Sequence, residues 1–412
     1  MIVMKFGGTS VAALPKVLEA ATSRPGKKLI VLSARSGATN ELLEAARHAG
    51  AGDFEQASRK VNKLRRAHES FARELMPDGE FLEAAIAGIL GLCSELETYC
   101  GALAELREAT PLNFDYVVSY GELLSTRIFY NYCLSKGVGA SLLDSRRMVK
   151  TSSRYMNAAL DMRATEQATR EAFADVAEEL AIAQGFIGSD SHGRTTTLGR
   201  GGSDLSAAAL GAALGAERIE IWSDVTGVLT ADPRKLPEAV TIPRMSAAQI
   251  ALLSRFGAKV LHPETIKPAL EKNIPVWALN TFAPEAGATI ITSDGEFAPQ
   301  LCSVLFKTVL LGRDSARGEA QRTLFRAETP LFSTEVRDFK EDEAGEKRGL
   351  LLITGENFAG GIDFEPLRTA LGAKAEALHF DAEHNYILAI LPPENIEKAA
   401  ADAHEIVLKY RR

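Results

Sequence analysis

Ile2-Val3-Met4-Lys5-Phe6-Gly7-Gly8-Thr9-Ser10 opens the chain as an apolar run that carries a lysine near its end and breaks into paired glycines. A run of this kind reads as a short strand, and the Gly-Gly step as a turn into a helix over residues 14–21. A second apolar run follows at 28–33 and again meets a glycine-bearing turn. Strand, turn, helix, strand in this order predicts a parallel sheet covered by helices.

Outward from that start the pattern changes twice. Residues 40–112 contain long Ala-, Leu-, Glu- and Arg-rich stretches at 54–75 and 81–106, nearly free of proline, which predict a helical insertion. Residues 114–292 return to alternation, with strands expected near 116–119, 140–143, 181–186, 218–223 and 275–278. Ser-Asp-Gly-Glu-Phe-Ala-Pro at 293–299 marks a boundary. The expected division is therefore a domain over 1–295 and a small α+β region over 300–412, its strands near 303–311, 349–354 and 386–391 and its helices near 363–371 and 394–410. The charged stretch 337–348 reads as an exposed hairpin or loop.

The chain has 412 residues, 46% hydrophobic and 25% charged, with a formal net charge of −7. That balance argues against nucleic acid as the main partner. No stretch of eighteen apolar residues exists, so no membrane partner is expected. The first residues lack a basic n-region and a cleavage site, and cytoplasmic residence is the expectation. Cys93, Cys100, Cys133 and Cys302 have neither CxxC nor zinc-type spacing. They read as buried apolar side chains, and no metal ligands are nominated.

Four glycine-rich turns carry the chemistry. In Lys5-Phe6-Gly7-Gly8 the glycines let backbone approach an anion, and Lys5 adds a full charge. The lysine precedes the glycines, so this is not a Walker A loop. Ser33-Ala34-Arg35-Ser36-Gly37-Ala38-Thr39-Asn40 is a second such turn, where Thr39 or Asn40 is either a helix N-cap or a ligand contact. Leu198-Gly199-Arg200-Gly201-Gly202-Ser203-Asp204 sets a guanidinium, a hydroxyl and a carboxylate at a helix start. Arginine can clamp a carboxylate with two parallel bonds and an aspartate can accept from an ammonium, which suits the two ends of an α-amino acid. The competing reading is that Ser203 or Asp204 only caps the helix. The fourth turn, Ser223-Asp224 through Asp232-Pro233-Arg234, follows a strand and suits a nucleotide's ribose and phosphates.

KFGGTSV at 5–11, GELLST at 121–126, GFIGSDSHGRTTTLGRGGSD at 185–204, SDVTGVLTADPR at 223–234 and FGAKVLHP at 256–263 occur in the order found in aspartokinases. The chain resembles that branch of the amino-acid kinase family over roughly residues 1–292. The resemblance implies a three-layer αβα sandwich kinase domain with a helical insertion, followed by an ACT-like regulatory or dimerisation region. It implies ATP-dependent phosphorylation of the side-chain carboxylate of L-aspartate, the first step towards lysine, threonine and methionine, with ATP and Mg²⁺ as cofactors. A homodimer or higher homo-oligomer is also implied. Carried over, Lys5, Phe6, Gly7 and Gly8 resemble the phosphate site, with Lys5 and Asp204 catalytic. Ser223, Asp224, Leu229, Arg234, Lys259 and Val260 resemble further ATP contacts. Thr39, Glu122, Phe186, Arg200, Gly201, Gly202 and Ser203 resemble the aspartate site, with Glu122 and Asp204 near the ammonium. Leu229 replaces the family's common tyrosine, 151–156 departs from the usual pattern, and 300–412 matches ACT sequences poorly. A same-fold kinase for another acidic amino acid and a non-catalytic ligand-binding regulator are the alternatives.

Overall fold

In the computed structural model, strand β1 (Ile2–Phe6) lies parallel between β2 (Lys28–Leu32) and β7 (Arg218–Ser223). The structure describes residues 1–258, 261–293, 300–312, 323–329, 332–337, 346–360, 362–372, 374–381 and 384–410. The chain divides into two units, Met1–Gly227 with Glu264–Ser293, and Val228–Pro263 with Asp294–Arg412.

In the first unit, the elements after β1 are helices α1 (Gly8–Val11) and α2 (Leu14–Thr22), β2, and helices α3 (Ala38–Gly50), α4 (Phe54–Leu75), α5 (Glu80–Leu106) and α6 (Pro111–Ser135). Then come β3 (Ala140–Leu142), α7 (Ser145–Met148), α8 (Met162–Ala174), β4 (Leu180–Gln184), β5 (Ile187–Ser189), β6 (Thr195–Thr197), α9 (Gly202–Leu214) and β7. The sheet runs β3-β4-β2-β1-β7, continues through the parallel strand Val276–Asn280, and then pairs with the antiparallel strand Ala288–Thr292. β1, β2 and β4 are mostly apolar and buried along nearly their whole length, as expected of strands covered on both faces. Ile2, Met4 and Phe6 point into one core with α2, α3 and α6. Val3 points the other way, towards Gly211 on α9. The result is three layers, helix on sheet on helix.

Helix ends follow local chemistry. Asp53 accepts from Gln56 N (3.1 Å) at the start of α4, and Thr110 from Asn113 N (3.4 Å) before Pro111 at the start of α6. One expectation is corrected here: residues 116–119, read as a strand, lie inside α6. That helix is buried on nearly every face, so it lacks the polar stripe that marks a helix in sequence. All four cysteines are buried and none forms a disulfide.

The second unit holds an antiparallel sheet whose order is Thr323–Thr329, Phe332–Arg337, Gln300–Gly312, Glu346–Glu356, Tyr386–Leu391 and Ala377–Asp381. Helices Glu365–Gly372 and Ile396–Lys409 close its core around Leu351, Ile353, Leu367 and Val407. The segment carrying Ala231 and Leu236 shares that core. Within the charged stretch 337–348, residues 338–345 lie outside the described residues. Among the described residues, no helix is long and apolar enough to cross a membrane.

Candidate active site

The register aligns Phe6 with Leu32 on one side and Trp222 on the other, so the carboxyl ends of the central strands finish together. β2 and β7 lie on opposite sides of β1, and such a switch point opens a crevice at the strand ends. Gly7 N donates to Trp222 O (3.2 Å), and Ser36 N donates to Gly8 O (3.3 Å). A side chain on Gly8 would begin 2.9 Å from Ala34 O, which is why only glycine fits there. The backbone of this turn is thereby held close to its neighbours and left bare. Lys5 Nζ stands 2.6 Å from Asp204 Oδ1, both side chains mostly buried.

A cleft of about 290 Å³ lies over these strand ends. Lys5, Thr39, Glu122, Phe186, Gly201, Gly202, Ser203 and Asp204 all line it, so eight of the sequence-nominated residues share one cavity. The capping reading of Thr39 and Asn40 is corrected: α3 is capped by Gly37 at φ 86°, and Thr39 lies within the first turn. The same holds for α9, whose cap is Gly201 at φ 74° with no side-chain cap bond. Ser203 and Asp204 are consequently spent elsewhere, Ser203 Oγ accepting from Ser33 Oγ (3.0 Å) and Asp204 facing Lys5.

Glu122 sits in the middle of α6 and is buried. Its Oε1 accepts from Ala34 N (2.9 Å), while its buried Oε2 has no hydrogen-bond partner. Burial pushes its pKa up to about 8, against the pull of the Ala34 amide. A carboxylate oxygen held dry and unpartnered at a cavity wall suits a cationic ligand group. Arg200 is exposed and has no ion-pair partner among the described residues. Phe186 adopts φ 67°, its N–H donating to Ser206 Oγ (3.0 Å), a strained backbone that sets the ring against the cleft.

Sequence reasoning passed over Ser33 and Ala34 as site residues, although both line the cleft. It also passed over Asp115, a buried carboxylate on α6 whose pKa burial raises in spite of bonds from Thr197 and Met156. These depend on contacts between segments far apart in sequence, which spacing alone does not reveal. Ser223 ends β7 beside the Gly7 turn, and the exposed Asp224 follows it. Leu229 and Arg234 belong to the second unit, where Leu229 bridges to Thr241 and Arg234 pairs with Asp232 (2.7 Å). Lys259 and Val260 lie outside the described residues. Among the described residues no group of three His, Cys, Asp or Glu is placed to hold a metal ion.

The sequence model of the amino acid kinase family matches residues 1–280. Lysine-sensitive aspartokinase 3 of Escherichia coli (strain K12) is 37% identical over 324 residues, covering 76% of this chain and 68% of that protein. Chloroplastic aspartokinase 1 of Arabidopsis thaliana is 36% identical over 74% of this chain, which spans only 54% of the plant protein. Among solved structures, E. coli aspartokinase III with lysine and aspartate in its T-state aligns with a TM-score of 0.85 at 28% identity, over 99% of each chain. The same enzyme with aspartate and ADP in its R-state aligns with a TM-score of 0.77 at 27% identity, over 99% of this chain and 100% of that one.

Proposed function

The chain belongs to the aspartokinase branch of the amino acid kinase family, and from that premise we propose that it transfers the γ-phosphoryl group of ATP to the side-chain carboxylate of L-aspartate. The product would be 4-phospho-L-aspartate, the activated acid from which lysine, threonine and methionine synthesis starts. The observation that carries the amino-acid end of this reading is the buried, unpartnered Oε2 of Glu122 on the cleft wall. An α-ammonium is the ligand group that would satisfy it, and Arg200 is free to take the α-carboxylate. Asp204 is a second acceptor for the ammonium.

The chemistry needs no general base. A side-chain carboxylate is already ionised at pH 7, so it attacks the γ-phosphorus directly, forming the new O–P bond as the bond to the ADP oxygen breaks. The obstacle is one anion approaching another. Lys5, held at the cleft by Asp204, would neutralise charge on the transferring group, and the bare Gly7-Gly8 backbone would seat the phosphates. Mg²⁺ bound to the phosphates would supply further neutralisation. Ser223 and Asp224 are proposed as further nucleotide contacts. The C-terminal sheet is proposed as the regulatory and dimerisation region.

The test is ADP release with aspartate, glutamate or acetylglutamate, with hydroxylamine trapping the acyl phosphate. Hydroxamate formed with aspartate, and far less with the other two acids, is the expected result. No turnover with millimolar aspartate would remove the proposal, and preference for glutamate would redirect it to another acidic amino acid.

A further inference from the structure

Asp115 lies on α6 two turns before Glu122, so both project from one face of one helix. Nothing in the reaction above uses it. Its carboxylate is fully buried, and every bond it makes crosses to other segments. Thr197 N donates to Oδ2 at 2.9 Å, the Thr197 hydroxyl to Oδ1 at 2.5 Å, and Met156 N to Oδ1 at 2.9 Å and Oδ2 at 3.0 Å. Thr197 ends β6, and the turn that follows it carries Arg200 and leads into α9, whose first turn carries Ser203 and Asp204. Met156, at φ 66°, belongs to a segment packed on the same turn: Ala158 N donates to Thr197 O (2.9 Å), and Asn157 Oδ1 lies 2.6 Å from where a side chain on Gly199 would begin. One carboxylate therefore ties α6 to both segments that frame the Arg200 turn.

We propose that Asp115 is a positioning residue for the amino-acid end of the cleft, fixing the Arg200 turn relative to Glu122 so that guanidinium and carboxylate are spaced for the two charged ends of one α-amino acid. This rests on the aspartate-kinase reading. A packing residue at this point could be apolar; a buried anion serving three donors at set directions specifies geometry instead. Losing it displaces the substrate grip and leaves the phosphate turn, which hangs from β1 and β7, in place.

The experiment is steady-state kinetics of Asp115→Asn with aspartate and ATP varied separately. The amide turns one acceptor into a donor facing N–H groups, so KM for aspartate rises ~10–100-fold while KM for ATP stays within about twofold. A residue that only supports the fold would lower melting temperature and kcat and leave the ratio of the two KM values unchanged. Thr197→Val, which removes one donor and keeps the shape, raises KM for aspartate ~3–10-fold, and Thr197→Ser restores it to within about twofold. That pair decides the matter if Asp115→Asn does not fold. Unchanged KM for aspartate, or an equal rise in both KM values, overturns the proposal. Wild-type enzyme that does not turn over aspartate overturns it together with the reading beneath it.

Discussion

If Glu122 receives the substrate ammonium, aspartate binding must expel a proton. Its pKa stands at about 8 because the side chain is buried, so at pH 7 about nine-tenths of the free enzyme carries Glu122 protonated. An ammonium arriving at the unpartnered Oε2 favours the carboxylate, and binding at pH 7 should release about 0.9 proton, falling to ~0.5 at pH 8 and towards zero above pH 9. For the same reason kcat/KM for aspartate should climb about tenfold per pH unit up to about pH 8 and then level. Calorimetry in two buffers of different ionisation enthalpy counts the proton directly. Glu122→Gln should abolish both the proton release and the slope, while raising KM for aspartate. Stability gives an independent check of sign. A carboxyl whose folded pKa lies above its unfolded value near 4.5 stabilises the fold at low pH, and that contribution is lost as pH rises from about 4.5 through 8. At pH 7 the cost amounts to about 3 kcal/mol, so Glu122→Gln should melt higher than wild type at pH 8 and no higher at pH 4. Proton-free binding, or a slope that survives in the glutamine variant, would refute the reasoning.

Three further outcomes follow from the geometry. Lys5→Ala should lower kcat ~10²–10³-fold with KM for ATP changed only a few-fold, since its charge matters most on the transferring group; parallel losses in steady-state kinetics would make Lys5 a binding residue only. Gly8→Ala forces a methyl to 2.9 Å from Ala34 O and should raise KM for ATP at least ~10-fold, with a smaller rise in KM for aspartate because Ala34 N also holds Glu122; an unchanged KM for ATP in steady-state kinetics would contradict the phosphate-seating role. Glu220 is fully buried and accepts from Arg24 (3.2 Å), Arg218 (2.8 Å) and the Trp222 indole (3.0 Å); Glu220→Gln should cost about 1–3 kcal/mol, seen as a lower urea midpoint, and an unchanged midpoint would contradict that role.

Much of the architecture was legible in residue order. The strand expected at 218–223 is β7, the helix read at 54–75 is α4, and the run at 386–391 is an inner strand of the second sheet. Each has an apolar pattern that only one element satisfies. α6 was not legible, because a helix buried all round shows no periodicity, and its 116–119 stretch mimics a strand. The same burial sets the chemistry of Glu122, which lies mid-helix in a dry core. The glycine turns announced themselves, since backbone bareness is written in the residue type. What they leave out is the support beneath them: Ala34 N on Glu122, Thr197 on Asp115 and Ser33 on Ser203 join segments far apart in the chain. Capping, the competing reading of these turns, is excluded by a related feature. Gly37 and Gly201 take the cap positions through positive φ, which releases Thr39, Ser203 and Asp204 towards the cleft.

The claim that the substrate's own side-chain carboxylate attacks the γ-phosphorus has a direct isotopic test. Aspartate labelled with ¹⁸O in that carboxylate is turned over with ATP, and hydroxylamine then cleaves the acyl phosphate at carbon, so the bridging oxygen leaves with phosphorus. Mass spectrometry of the released phosphate should find one ¹⁸O per phosphate formed. Phosphate free of label, at the same rate of ADP release, would mean that water and not the carboxylate receives the phosphoryl group.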